Sequence, residues 1–383
     1  MKHTFIFLLI AWFLSTNSAV AQNTADISVA NGQTVQIDLN RLNPVEPLIR
    51  SVSFLKLDGI DEELIKNQPR IKCDDSFLYV HGKQSPKIYL FDKTGKLIRI
   101  VNRKGEGPEQ YKTVTDFFVC KNKLFVYDNI QGVLLQYNAK GDYESKLALT
   151  TKGYRIAEYN NQYIVYMGNQ QDVEYSLWVF DKKGVLVKKY LKGMQTPKTY
   201  PVNSILSPLN PTDKGLIITY ELDNTIYLYN DNKIRTFALD FGPYNLSEKN
   251  SWKANMKNIK YMYQLIASPN QILWMDSFLN WGDLYVVNLI KAQGNERICF
   301  TMDSDQVYSF NQSDYPFSIF GRDMTVNAEG QFVTWIPSQM LPIMKKFQRE
   351  GTKMNDYVKK LLALHVNGKT DMVVCFFTMK QPD

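Results

Sequence analysis

The chain has 383 residues, 44% of them hydrophobic, and its 45 basic and 38 acidic residues leave a formal charge of +7. The hydrophobic content is ordinary for a globular protein, and so mild a charge does not indicate nucleic-acid binding. The length suggests two domains, but all-β architectures of this size often form one.

The first 21 residues have the three parts of a secretory signal peptide. Lys2 supplies the positive region, residues 5–14 form an apolar run, and residues 19–21 (AVA) offer a small-residue cleavage site. The run is too short to span a bilayer, and no other segment predicts a membrane span. Because the residue directly after the cleavage site is not a cysteine, we expect a periplasmic or secreted protein without a lipid anchor. Residues 22–47 would then form a leader, in which QTVQIDLN (33–40) is a candidate edge strand.

Phrases of one shape recur from residue 87 onward. Each has an apolar strand ending in an acidic or amide residue, a tight turn with Gly or Asn, and a second strand. The turns need positive φ angles, which Gly and Asn adopt at low cost. The phrases are KIYLFDKTGKLIRIV (87–101), VLLQYNAKGDYESKLAL (133–149), SLWVFDKKGVLVKKYL (176–191) and TIYLYNDNKIRTFAL (225–239). A period of about 45 residues with four short strands per unit is typical of a β-propeller.

Six segments follow a polar turn and predict the second strand of a blade: 74–80, 121–128, 160–167, 212–220, 269–276 and 328–335. The fifth repeat has a longer hairpin around 289–296, and the sixth resumes its third strand at 371–380. A spare strand over 50–58 can close the ring by pairing with the end of the chain. The sequence therefore predicts an all-β fold, one six-bladed β-propeller over residues 48–380.

Two insertions in this propeller predict short helices. Residues 246–264 have Ser247 as a candidate N-cap and a stripe of lysines, which is either a solvated face or a contact surface for an acidic partner. Residues 338–363 predict two short helices, broken at Gly351, that pack against the sixth blade.

The chemistry-bearing residues show no known catalytic motif. Cys73 and Cys120 fall at equivalent points of neighbouring repeats, too far apart to bridge, so we expect thiols. His81 and His365 are far apart in sequence, and each is expected to have a structural or surface role. The carboxylates at strand ends are explained by turn chemistry. No cofactor is predicted, although calcium in the channel of a propeller is a possibility that oxygen ligands would allow.

The loop RKGEGPEQY (103–111) between the first two blades carries the one distinctive local pattern. Successive amides around its glycines can form an anion-binding nest beside two basic side chains. The candidate ligand-binding residues are Arg103, Lys104, Gly105, Gly107 and Tyr111. The alternative is a rigid connector between blades, stiffened by Pro108.

The pattern FDKxGK, a strand, and then GxGPxxY resembles exported bacterial six-bladed β-propellers, which are related to TolB-like and NHL-repeat propellers. The family pattern in this loop is Gly-x-Gly-Pro-Gly-Glu-Tyr, and here Glu109 and Gln110 replace its last Gly and its Glu, which removes a carboxylate. The resemblance covers roughly residues 48–380. It implies the propeller fold and an exported location, and it transfers no catalytic residues.

Two functions stay open at this point. A binding module for a glycan, peptide or partner protein is favoured, because propeller loops surround a channel mouth. Candidates for stacking on a sugar are Tyr111, Tyr154, Trp274 and Trp281, each of which can equally be a core or hairpin residue. The alternative is a lactonase-like hydrolase or lyase with carboxylates or a metal at the channel mouth. An enzyme would gather acids or a histidine with perturbed pKa values there, and a binder would not.

Overall fold

The computed structural model describes residues 32–61, 64, 68–168, 173–192, 205–246, 270–302, 304–313, 317–351, 354–366 and 371–380. Three strands precede the first complete blade: β1 (Thr34–Gln36), β2 (Leu42–Pro44) and β3 (Ile49–Leu57). A 3-10 turn, Glu46–Leu48, joins the last two.

Blades one to three are four-stranded sheets in which each strand pairs antiparallel with the next one along the chain. Alternating apolar residues and tight turns produce this meander. Blade one holds β4 (Arg70–Cys73), β5 (Phe77–His81), β6 (Lys87–Asp92) and β7 (Leu97–Asn102); blade two holds β8 (Asp116–Cys120), β9 (Lys123–Asp128), β10 (Val133–Tyr137) and β11 (Tyr143–Ala148); blade three holds β12 (Arg155–Tyr159), β13 (Gln162–Tyr166), β14 (Tyr175–Phe180) and β15 (Leu186–Lys192).

Blades four to six are each completed by one of the three early strands. β1 pairs parallel with the outer strand of blade four, β2 pairs parallel with that of blade five, and β3 pairs antiparallel as the fourth strand of blade six. Blade four holds β16 (Leu209–Pro211), β17 (Leu216–Ile218), β18 (Thr225–Asn230) and β19 (Lys233–Asp240); blade five holds β20 (Ile272–Trp281), β21 (Leu284–Lys291), β22 (Asn295–Thr301) and β23 (Val307–Ser309); blade six holds β24 (Met324–Val326), β25 (Phe332–Ile336) and β26 (Met372–Met379). Two further 3-10 turns are Gly242–Tyr244 and Phe317–Ile319.

The innermost strands, β4, β8, β12, β16, β20 and β24, contact one another in a closed ring. The predicted six-bladed all-β propeller is therefore confirmed. Six separate apolar cores fill the spaces between successive blades. Between blades one and two, for example, Tyr79, Leu90 and Leu124 are fully buried. Each such side chain contributes about 1.5–3 kcal/mol by leaving water.

The fifth blade differs from the sequence prediction. The segment 269–276 was predicted as its second strand, but its described part belongs to the innermost strand β20, and β21 is the second strand. The cause is the length of β20, which runs for ten residues and absorbs two register shifts, with Ser277 at φ 48°. Because a bulge interrupts the two-residue alternation of a strand, the sequence pattern does not reveal the turn at Gly282.

The second predicted insertion forms two helices, α1 (Met340–Arg349) and α2 (Asp356–Leu362), with a break at Gly351. Asn355 caps α2, because its side chain accepts a hydrogen bond of 2.8 Å from the Val358 amide. Both helices bury one face in the core between blades five and six. The other predicted helix, over 246–264, lies outside the described residues from 247 onward.

Candidate functional site

A ring of six polar residues, one from each blade, surrounds the channel where the innermost strands begin. Three of them are the first residues of β4, β8 and β12, and the others lie before or within β16, β20 and β24. They are Arg70, Asp116, Arg155, Ser207, Asp276 and Asp323. The remaining residues of these strands are mostly apolar, and they pack within the blades. The ring residue of each blade faces the ring residues of the other blades.

Arg70 and Asp116 form a buried ion pair between blades one and two, with side chains only 8% and 2% exposed. The Arg70 guanidinium also lies 5.7 Å from the centre of the Phe117 ring. The second carboxylate oxygen of Asp116 accepts a 2.8 Å hydrogen bond from the Ile156 amide in blade three. Burial alone would raise the pKa of Asp116, but Arg70 and Arg155 outweigh it and lower that pKa.

Asp276 and Asp323 bind backbone and hydroxyl groups of other blades. Asp276 accepts hydrogen bonds from the Leu206 and Ser207 amides, at 3.2 and 3.0 Å, and pairs with Arg322 at 3.0 Å. Asp323 accepts hydrogen bonds of 2.9 Å from the Ser207 hydroxyl and from the amide of residue 71. Each oxygen of every carboxylate in the ring thus accepts at least one hydrogen bond from the protein. This arrangement is expected of carboxylates that hold blades together.

Arg155 is the one ring cation that has no carboxylate in hydrogen-bond contact among the described residues. Its guanidinium donates to the backbone carbonyls of Tyr154, Ile205 and Leu206, at 2.8, 3.4 and 2.9 Å. Burial lowers the pKa of Arg155, and the neighbouring charge of Arg70 lowers it further. Arg155 therefore carries a positive charge that the protein solvates with neutral groups.

A cavity of about 290 Å³ occupies the channel between the ring and the far ends of the inner strands. Its floor is formed by Arg70, Asp116, Arg155 and Ser207. The side chain of Asp116 at the ring is 2% exposed, that of Glu158 nearer the mouth is 16% exposed, and Pro211 at the end of β16 is exposed. The cavity therefore opens on the face where β4, β8, β12 and β16 end.

Lys72, on the wall of this cavity, has no hydrogen bond or ion pair among the described residues. Burial lowers its pKa from the ordinary value of 10.5, against the opposing effect of Asp323. Glu158 at the mouth is different, because it pairs with Lys182 at 3.0 Å and accepts a hydrogen bond from the Cys120 thiol.

The five loop residues predicted to bind a ligand lie together in the segment that joins β7 to β8. This segment reaches the channel at the start of β8, whereas the cavity opens at the end of β8, and none of the five lines the cavity. Arg103 lies 3.8 Å from Glu109, and Lys104 forms a backbone bridge with Tyr111.

Inside that loop, the predicted amide nest already contains a side chain. The Gly107 amide donates a 2.7 Å hydrogen bond to Gln110 Oε1, and a Cβ at Gly105 would lie 2.0 Å from the same oxygen. Tyr111 is fully buried, and its hydroxyl donates to the Pro86 carbonyl at 2.5 Å. Burial raises the pKa of Tyr111 to about 12. A ligand-binding role for Arg103, Lys104, Gly105, Gly107 and Tyr111 stays a prediction.

The other candidate residues are scattered over the molecule. Tyr154 and Trp274 are part-exposed, and Trp281, which is 43% exposed, lies against Gly330 of the next blade. None of these aromatic residues lines the channel cavity. The four cysteines are free thiols, and Cys73 and Cys120 lie at the cavity mouth. Burial raises the pKa of these two thiols to about 12 and about 11, so both stay protonated near neutral pH.

Sequence reasoning missed the ring and Lys72. The signal that could have found them is a charged residue about five positions before the first hairpin turn of a repeat, as in Arg70, Asp116 and Arg155. Among the described residues, no group of three or more His, Cys, Asp or Glu side chains is placed to hold a metal ion. No described helix is long and apolar enough to cross a membrane.

The fold and the charged channel define a six-bladed β-propeller with a cavity at its axis. The chain belongs to the family defined by a domain of unknown function, DUF4934, whose family model matches residues 24–371. It is similar in structure to a candidate exported protein of Bacteroides fragilis NCTC 9343, with a TM-score of 0.71 and 19% identity over 91% of this chain and 99% of that one.

A second solved structure, a member of the DUF4221 family from Bacteroides vulgatus, has a TM-score of 0.55 and 11% identity, covering 88% of this chain and 98% of that one. At such identities the likeness shows the fold alone. No curated protein matches the chain significantly.

Proposed function

We propose that this protein is an exported binding module whose channel cavity takes a small ligand, or one end of a glycan or peptide, without catalysis. The observation that carries the proposal is the cavity itself, about 290 Å³ and open at one face, with apolar, polar and charged groups along its wall. Concave sites of this kind are where proteins hold small ligands. The signal-peptide pattern of residues 1–21 supports export, and the loop at 103–111 supports kinship with TolB-like and NHL-repeat propellers.

The state of the channel carboxylates favours binding over hydrolysis. Asp276 accepts four hydrogen bonds from the protein and Asp116 accepts three, while Asp323, which accepts two, does not line the cavity. A general acid or base needs a lone pair or a proton directed at the substrate. His81 is buried, its Nε2 contacts the Ser85 carbonyl at 2.9 Å, and burial lowers its pKa to about 4.

A thermal-shift screen of glycans, cell-wall peptides and organic acids tests this function. A ligand at 100 times its Kd stabilises the folded protein by about 2.7 kcal/mol. We expect hits that disappear in Thr325→Phe, which adds bulk inside the cavity, and persist in Thr225→Phe, at a part-exposed threonine that does not line the cavity. Hits that Thr325→Phe leaves unchanged, or a hit that the protein converts to product, would contradict the proposal.

A further inference from the structure

The charges around the cavity are unequal. Arg70, Lys72 and Arg155 line it, and the carboxylates closest to them in the ring are Asp116, paired with Arg70, and Asp323, bonded to an amide and a hydroxyl. The remaining ring carboxylate, Asp276, is paired with Arg322, and Glu158 at the mouth is paired with Lys182. The charged residues that line the cavity, taken with the ring carboxylates and their partners, therefore leave about one positive charge in the cavity without a counter-charge.

Hydrogen-bond donors are also left over beside that charge. A guanidinium has five N–H donors and an ammonium has three. Arg155 uses three of its donors on carbonyls, Lys72 uses none, and Arg70 Nε has no acceptor among the described residues. Buried donors without acceptors are costly, and an acceptor that enters the cavity would satisfy them.

Much of the rest of the cavity wall is apolar, although Ser207, Thr325 and the thiols of Cys73 and Cys120 also line it. Phe118, Ala157, Leu209 and Val326 line it together with two prolines. Such a wall stabilises a hydrocarbon or aromatic group by excluding water, and it offers few partners to the hydroxyl groups of a sugar. The polar end and the apolar wall thus suit two different parts of one ligand.

We propose that the ligand of this cavity is a monoanionic organic acid with a compact apolar body, whose carboxylate lies between Lys72 and Arg155. This inference rests on the proposed function and specifies its ligand class. One carboxylate matches the single surplus charge, and its four lone-pair positions can accept the unused donors of both cations. An entering carboxylate also favours the charged form of Lys72, whose pKa burial lowers.

Phenylacetate and phenylacetamide form a matched pair of probes, because they share an apolar body and differ in charge. Titration calorimetry on the full protein should show phenylacetate binding at least tenfold more tightly than the amide. Lys72→Met should weaken the binding of phenylacetate about tenfold and leave the affinity for the amide unchanged. The variant should still fold, since Lys72 is part-exposed and lies outside the apolar cores. Lys83→Met, which removes one exposed charge elsewhere, should change neither affinity.

Equal binding of the two probes, or an unchanged phenylacetate affinity in Lys72→Met, overturns the inference. Inorganic phosphate is the third probe, and if it binds more tightly than phenylacetate the surplus charge serves a dianion instead. The proposed binding function and the inference about its ligand can fail separately. If a neutral ligand binds and Thr325→Phe abolishes its binding, the protein is still a binding module, but its ligand is not an organic acid. If no probe or screened compound binds the cavity, both proposals fail together. Melting temperatures of each variant show that folding is retained.

Discussion

Individual charges beside the channel have two different roles, and their surroundings distinguish the two. Arg70 and Asp116 are shielded from water and from salt, so their pairing depends on geometry that the two blades impose. Lys72, two residues along the same strand, faces the cavity without such a partner. Arg70 and Asp116 hold two blades together, and Lys72 is the residue that we propose binds the carboxylate of a ligand.

Removing one member of the buried pair should be costly. Asp116→Ala leaves the Arg70 charge buried and also deprives the Ile156 amide of its acceptor. We expect a loss of about 3–5 kcal/mol in the free energy of unfolding, measured by urea denaturation. Asp283→Ala is the matched control, because the Asp283–Lys214 pair has the carboxylate 81% exposed and should matter little. Similar losses in both variants would contradict a special role for the ring.

Lys72 should also give ligand binding a distinctive pH dependence. Its folded pKa lies below 10.5, because burial and Arg70 disfavour the charge more than Asp323 and Asp116 favour it. An organic acid is ionised above about pH 5. Because Cys73, Cys120 and Arg155 also line the cavity, a loss of affinity at alkaline pH reports the lysine only where Lys72→Met removes it. We expect phenylacetate affinity to fall as pH rises through a value below 10.5. Calorimetry at several pH values checks this, and Lys72→Met should abolish that step.

At the scale of elements, the repeated hairpins position the blades against one another. The glycines of the turns between the third and fourth strands are needed for two reasons. Gly184 has φ +79°, and a Cβ there would lie 2.3 Å from the Ala148 carbonyl oxygen in the outer strand of blade two. Gly95 meets the Lys56 carbonyl in the same way, at 2.1 Å. The turn motif seen in the sequence therefore also marks a contact between blades.

That double role predicts unequal effects of the same substitution. Gly184→Ala and Gly294→Ala both place a side chain at positive φ, which costs about 1–2 kcal/mol. Only Gly184 has a backbone atom in the way, since nothing lies within 4 Å of a Cβ at Gly294. We expect Gly184→Ala to lose about 1–2 kcal/mol more in the free energy of unfolding. Equal urea midpoints for the two variants would show that the contact between blades is unimportant.

The fold could be predicted from the sequence because its signals are local. Turns such as that of Gly95 and alternating strands repeat along the chain, whereas the bulge around Ser277 disguised the inner strand of blade five. A repeated charge before the hairpin turns marks part of the ring, but the pairing of its members could not be predicted, because Arg70, Asp116 and Asp323 come from different blades and meet only after the ring closes. The spacing of charged residues along the sequence does not predict which of them form ion pairs in the folded protein and which, like Lys72, do not.

At the scale of the whole molecule, the segment 34–57 fastens the ring across three blades. β1, β2 and β3 lie in turn along the outer edges of blades four, five and six. The last of these matters most, because β3 joins the two ends of the chain and covers the whole length of β26, from Met372 to Met379. An uncovered strand of that length would offer its backbone to other chains.

Shortened chains should therefore differ sharply according to whether β3 is kept. A chain that begins at residue 48 loses two parallel edge strands and should keep the oligomeric state of the full chain, with a lower melting temperature. A chain that begins at residue 58 loses β3 and should aggregate, as measured by size-exclusion chromatography. Leu57→Asp in the full chain is the companion variant, because Leu57 is fully buried and a charge there opposes the pairing without shortening the strand. If the chain beginning at residue 58 melted cooperatively as a monomer at the full chain's temperature, closure by β3 would not stabilise the propeller.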